Sequence, residues 1–273
     1  MASRKEQKEQ ARADRLAKEQ ELAAKAGRAR RFQIFGGVIA AAVIVIVVAI
    51  VISSSGGKSA SNSPDTAAAK ATYKTVNTLL AGIPQSGTVL GDPKAPVTMT
   101  YFGDLQCPIC QEFTLDVIPQ VVQDLVRTDK VKINYRSFCT ATCNPANPTG
   151  GTSVFNKQQI AAYAAGKQKL FWEYAELFYH EQGAEDSGYV TEAWLANLAK
   201  QIPSLNFKAW ETDRSNHVFT RQVEEDNAEA TTLQIDGTPA LFMTGKKGTQ
   251  QVEGPNGSLP TYTQLASAAQ TVQ

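Results

Sequence analysis

The residues best suited to chemistry in this chain are its four cysteines, which fall into two close pairs. Cys107-Pro108-Ile109-Cys110 comes first, and Cys139 and Cys143, with three residues between them, follow after a gap of 28. A C-x-x-C pair at the start of a helix has a physical reason to be reactive. The first helical turn carries unpaired N–H groups and a partial positive charge, and both stabilise a thiolate. An ordinary thiol, with a pKa of about 8.5, is only a few per cent ionised at pH 7, and each unit of depression corresponds to about 1.4 kcal/mol. On this reading Cys107 sits at the exposed helix tip and attacks, while Cys110 lies one turn inward and resolves the mixed disulfide. Pro108 suits an early helical position, where the N–H it lacks would have no partner. Two alternatives stay open. Four thiolates could hold a structural zinc ion. The spacing of Cys139 and Cys143 also permits a local disulfide, either a structural staple or a second redox pair.

The elements that must position these residues are visible in the hydrophobic pattern. Val97 to Phe102 reads as a buried strand leading into the first cysteine pair. After it, Phe113, Val117, Ile118, Val122 and Leu125 share one helical face, with Pro119 expected to kink the helix. Val131 to Ser137 alternates as a half-buried strand. A Pro- and Gly-containing loop covers Thr140 to Gly151, and residues from about 150 to 231 are mostly helical. Ala240 to Met243 forms a short strand behind Thr238-Pro239, and Gln250 to Glu253 pairs back on it. Ser258 is a candidate cap for a last helix, with Pro260 in its first turn. Without the helical block the order is β-α-β followed by β-β-α.

The chain has 273 residues and a formal net charge of +1, but the average hides two unlike pieces. Residues 1–31 hold ten Lys and Arg against five Asp and Glu, and the remaining 242 hold 17 against 21. Between them Ile34 to Ile52 is a run of 19 residues with no charged or polar side chain. About 20 such residues make a helix long enough to cross a bilayer. Arg28, Arg30 and Arg31 flank its N-terminal side, which places the N-terminus in the cytoplasm and the rest of the chain outside it. That compartment permits disulfides. The expected organisation is a basic cytoplasmic tail (1–31), a transmembrane helix (32–52), a flexible linker (53–79) and one α/β domain (80–273). His180 and His217 lie in the helical block and read as surface or helix-end residues. With no ligand-spaced cluster and no dinucleotide or phosphate-binding glycine motif, neither a catalytic metal nor a cofactor is expected. Nothing points to nucleic acid.

At this point the residues resemble a known family. Phe102 to Cys110 is similar to the active-site segment of DsbA-like thiol-disulfide oxidoreductases of the thioredoxin superfamily. Gly82-Ile83-Pro84-Gln85 and Leu90-Gly91-Asp92-Pro93, leading into Ala95-Pro96-Val97, resemble the entry to membrane-anchored bacterial members. Ile235 to Ala240, with Thr238-Pro239, resembles the family's cis-proline loop. The resemblance implies a thioredoxin-like fold with a helical insertion. It makes Cys107 the nucleophile, Cys110 the resolving thiol, Pro239 the cis-proline against the pair and Thr238 the residue before it. The backbone beside that proline would pair with an extended substrate segment. Two positions depart from the pattern. Strongly oxidising members carry histidine where this chain has Ile109, and thioredoxin keeps a buried acid where this chain has Tyr101. Asp104 is the nearest carboxylate. It reads as a cap for the helix start, with proton transfer as the alternative.

The expected activity is disulfide exchange with exported proteins, in the oxidising direction. Reoxidation would come, by family analogy, from a membrane partner of DsbB or VKOR type. A reductase or isomerase of the same fold remains open, as does a non-catalytic tethered module whose cysteines are structural or zinc-bound.

Overall fold

Alternating side chains build the middle of the sheet. The computed structural model describes residues 63–185, 187–215 and 217–273. Its strands are β1 (Gln85–Ser86), β2 (Val89–Leu90), β3 (Val97–Gly103), β4 (Val131–Ser137), β5 (Ala240–Gly245) and β6 (Gly248–Gln251), in spatial order β1-β2-β4-β3-β5-β6. β3 and β4 are parallel, with Val97 opposite Val131 and Gly103 opposite Ser137, and the other pairings are antiparallel. In β4, Val131, Ile133 and Tyr135 are buried while Lys132, Asn134 and Arg136 stay partly exposed. Successive strand residues point to opposite faces. Tyr101 therefore joins the main core, and Phe102 packs with Ala230 and Ala240 in a smaller one.

The helices are α1 (Ala67–Leu80), α2 (Pro108–Val126), α3 (Thr152–Lys167), α4 (Phe171–His180), α5 (Glu192–Lys200), α6 (Phe207–Asp213), α7 (His217–Thr232) and α8 (Tyr262–Val272). α2 links the parallel pair β3 and β4, and α3 to α7 form the insertion between β4 and β5. The arrangement is the thioredoxin-like α/β fold with a helical insertion. The expected tail, the apolar span and the first part of the linker lie outside the described residues. No helix among the described residues is long and apolar enough to cross a membrane.

Three local expectations need correction. The linker expected over 53–79 gives way to α1 from Ala67. Thr66 caps that helix by accepting the Ala69 N–H (3.0 Å), and Val76 and Leu80 are buried in the main core. Arg127 closes the other end, donating to the carbonyl oxygens of Leu79 (2.7 Å) and Ala81 (3.1 Å). The sequence concealed this helix because its apolar side chains are few and its Ala and Thr content reads as tether. Second, Pro119 does not simply kink α2. The helix passes through π-helical turns at Phe113–Val117 and Val122–Val126, and the Ile118 N–H reaches back five residues to the Phe113 carbonyl. Proline lacks an N–H, and its ring clashes with the carbonyl four residues back. A π turn shifts that register. Third, the last helix is capped by Thr261, in a reciprocal capping box with Gln264, rather than by Ser258, and Pro260 lies outside it.

One buried carboxylate ties the insertion to the sheet. Asp226 on α7 accepts from the Ser137 N–H (3.1 Å), the Arg136 guanidinium (2.6 Å) and the Tyr163 hydroxyl. If α1 is part of the fold, Leu80→Ala should cost about 2–5 kcal/mol, as for a fully buried leucine. Urea unfolding should show this as a lowered midpoint. A change within about 0.5 kcal/mol, typical of a surface site, would return the segment to linker.

Candidate active site

The site grows from the end of β3, where the chain turns through Asp104 and enters α2. Cys107 is the N-cap of α2: its N–H donates to the Asp104 carbonyl (3.0 Å), and its sulfur accepts the Cys110 N–H (3.4 Å). The structure brings Cys107, Cys110, Thr238 and Pro239 together. The Thr238-Pro239 bond is cis, and the Cys107 thiol donates to the Thr238 carbonyl (3.4 Å). Cys107 is not at an exposed tip, however. It is 6% exposed and Cys110 is fully buried, whereas Ile109 is 47% exposed. The cis-proline turn covers the sulfur, and the outward surface passes to Ile109.

The two thiols are electrostatically unlike. Cys107 is lowered to about 7. A hydrogen bond from the Cys110 side chain is the largest cause. Bonds from the Thr238 side chain and the Cys110 N–H add to it, against burial and the charge of Asp104. Cys110 is pushed well above the ordinary thiol value, first by burial and then by Cys107. Of the two thiols, Cys107 therefore gives up its proton first, and Cys110 keeps its hydrogen. Below Cys110 lies a floor of tyrosine hydroxyls. Tyr101 donates to the Cys110 carbonyl (3.4 Å) and lies 3.3 Å from both the Thr114 and the Tyr179 hydroxyls.

Asp104 does more than cap. It is fully buried. Its Oδ1 accepts from the Gln106 N–H (3.0 Å), the Thr142 hydroxyl (2.6 Å) and Gln158 Nε2 (3.0 Å). Its Oδ2 accepts from the N–H groups of Thr140 (3.1 Å) and Thr142 (2.8 Å). Of these five donors only Gln106 belongs to the turn before α2. The rest come from the loop after β4 and from α3. Burial raises the Asp104 pKa despite these bonds. Cys139 and Cys143 close the same loop as a disulfide with a Cα separation of 5.5 Å. Thr140, inside it, shares a 2.5 Å hydrogen bond with the Thr238 hydroxyl. The second cysteine pair thus frames residues that touch both Asp104 and the cis-proline turn. It also leaves only two free thiols for the zinc reading, and among the described residues no cluster of His, Cys, Asp and Glu could hold a metal.

Sequence reasoning missed Gln106, Thr142, Gln158 and Gln182. Gln182 donates to the carbonyl oxygens of Leu105 (2.7 Å) and Cys107 (3.3 Å), fixing the turn from the far side. Glutamines in and after helices read as solvent-facing, and no local signal marks them otherwise. Beside the pair a cleft of about 430 Å³ runs under Ile109, Leu233, Ile235, Pro239 and Leu259.

Known proteins share this fold. Residues 85–255 match the family model described as Thioredoxin. The chain belongs to the thioredoxin family. Disulfide bond formation protein D of Bacillus subtilis (strain 168) is 24% identical over 165 residues, covering 58% of this chain and 68% of that protein. Among solved structures, oxidised BdbD from Bacillus subtilis has a TM-score of 0.56 at 21% identity, covering 70% of this chain and 96% of that one. DsbA2 of Pseudomonas aeruginosa has a TM-score of 0.52 at 20% identity, covering 70% and 97%. These solved structures have the same fold as this chain.

Asp104 both holds the site and opposes its thiolate, so Asp104→Asn should move two quantities in opposite senses. Stability should fall by about 2–3 kcal/mol, because bonds to a charged acceptor are lost in a buried place. The Cys107 pKa should fall below its wild-type value as the repelling charge goes. Urea unfolding and a thiolate absorbance titration read the two effects.

Proposed function

We propose that the chain is a membrane-anchored oxidase of exported proteins, held by the apolar segment 34–52 with its N-terminus in the cytoplasm. The observation that carries the activity is the pairing of one acidic and one proton-retaining sulfur beneath the Thr238-Pro239 turn. In the oxidised enzyme a substrate thiolate attacks the Cys107 sulfur. The Cys107–Cys110 bond breaks, and Cys110 leaves and takes up a proton. The second substrate thiolate then attacks the substrate sulfur of the mixed disulfide and releases Cys107 as thiolate. Two electrons pass from substrate to enzyme. A leaving thiol of low pKa departs faster, so lowering Cys107 alone speeds release of the oxidised product.

Ile109 and Leu233, both about half exposed on the rim of the cleft beside Pro239, offer an apolar bed for an extended segment around the substrate cysteine. Substrate backbone would add along the proline turn as a strand adds to a sheet edge. The reduced pair would be reoxidised by a membrane partner of DsbB or VKOR type. The flanking Arg28, Arg30 and Arg31 and the disulfide between Cys139 and Cys143 support an extracytoplasmic location for the domain.

Cys110→Ala removes the competing resolving thiol, so it should accumulate mixed disulfides between Cys107 and exported proteins. These adducts should disappear on reduction and be absent from Cys107→Ala. Without any adduct in cells expressing Cys110→Ala, the proposed mechanism fails.

A further inference from the structure

The Cys107 sulfur lies against the turn of Thr238, and what that turn offers changes when the sulfur ionises. As a thiol, Cys107 donates to the Thr238 carbonyl oxygen at 3.4 Å. A thiolate has no hydrogen to give, so the same oxygen then faces it as a repelling dipole. The side chain of Thr238 works the other way: its hydroxyl donates to the sulfur and favours the thiolate. A hydroxyl carries one hydrogen and two lone pairs. The direction in which Thr238 points that hydrogen therefore matters to the reaction.

The Thr238 hydroxyl has a second neighbour. The hydroxyl of Thr140 lies 2.5 Å from it, and either oxygen can be the donor. If Thr238 donates to Thr140, its hydrogen is turned away from Cys107. With a thiolate present the balance goes the other way. A hydrogen bond to a charged acceptor is roughly twice as strong as one between neutral groups. The Thr238 hydrogen then goes to the sulfur, and Thr140 becomes the donor of the pair. Hydroxyls linked in this way polarise one another and strengthen the last bond. Thr140 is built into place. Its N–H donates to Asp104 Oδ2 (3.1 Å). On one side the Cys139 N–H donates to Asn227 Oδ1 of α7 (2.9 Å), and on the other Thr142 is tied to Asp104 by its N–H and its hydroxyl. The disulfide between Cys139 and Cys143 closes the chain around both threonines. Water can also reach a half-buried hydroxyl, but water turns freely and accepts a hydrogen as readily as it gives one.

We propose that Thr140 is a positioning residue for disulfide exchange: its hydroxyl donates to that of Thr238 and so turns the Thr238 hydrogen onto the Cys107 sulfur. The inference rests on the exchange reading of Cys107 and Cys110. In the step that releases product, the second substrate thiolate bonds to the substrate sulfur. The bond to Cys107 breaks, and its electron pair stays on Cys107. Thr140 and Thr238 meet that charge with two aligned hydroxyls, and no proton leaves either one. While Cys107 is in a disulfide its sulfur is uncharged, and the two hydroxyls are free to reverse. The arrangement also gives Asp104 a second effect. Its charge opposes the thiolate, yet it anchors the loop residue that supports that thiolate.

The test is a thiolate absorbance titration of the reduced full-length chain and of Thr140→Val, Thr140→Ser, Thr238→Val and the double variant Thr140→Val/Thr238→Val. In wild type Cys107 should ionise at about 7. Thr140→Val keeps the shape and loses the hydroxyl, so the Cys107 ionisation constant should fall about three- to tenfold, as for the loss of one hydrogen bond. Thr140→Ala gives the same reading if the valine variant does not fold. Thr140→Ser keeps the hydroxyl and should titrate as wild type. In the Thr238→Val background, adding Thr140→Val should change the constant by less than about twofold, because the hydroxyl through which Thr140 acts is gone. A Thr140→Val inflection equal to that of wild type would overturn the proposal. So would a change of the same size with and without the Thr238 hydroxyl, the result expected if Thr140 only stiffens the loop. Reduction of the oxidised preparations by excess dithiothreitol separates the two claims. No reaction in wild type would sink the exchange reading, while the titrations still decide whether Thr140 governs the sulfur.

Discussion

Two sulfurs three residues apart must behave as different acids. If both ionised at the same pH, their repulsion would work against the site, and neither direction of exchange would have a defined leaving group. Burial alone would raise both thiols. The structure separates them by giving Cys107 donors from the Cys110 side chain, the Cys110 N–H and Thr238, and by giving Cys110 apolar surroundings and a tyrosine floor. The donor that most favours one thiolate is the partner thiol itself, so the proton is held by the pair and its position is set by what surrounds each member.

Much of the domain serves to hold that surrounding in place. β3 delivers the turn, and the parallel neighbour β4 sends out the loop that Cys139 and Cys143 close. Asp104 binds the turn to that loop and to α3, and Thr140 binds the loop to the cis-proline turn before β5. The three segments that meet at Cys107 are distant in the chain, and a single buried carboxylate and one pair of threonine hydroxyls join them. The insertion does more than cover the sheet. It supplies Gln158, Tyr179 and Gln182 to the site.

How much of this could be read from the sequence depended on whether the signal was local. The strands at Val97 and Val131 announce themselves by side-chain alternation, and the structure has them at the expected places. The helical block, the Ala240 strand and the cysteine pair at a strand-to-helix junction were equally legible. The environment of Cys107 was not. A helix tip reads as exposed, and only the fold brings Thr238, 131 residues away, over the sulfur. Asp104 looked like an ordinary cap because four of its five donors come from residues 36 or more positions distant.

The account turns on the difference between the two thiols, and the pH dependence of alkylation of the reduced protein measures it directly. With the modified cysteine identified by peptide mapping, Cys107 should react with a single inflection at about pH 7, and Cys110 should remain unmodified throughout the range. An inflection at about 8.5, the value of an ordinary thiol, or alkylation of Cys110 alongside Cys107, would contradict the account.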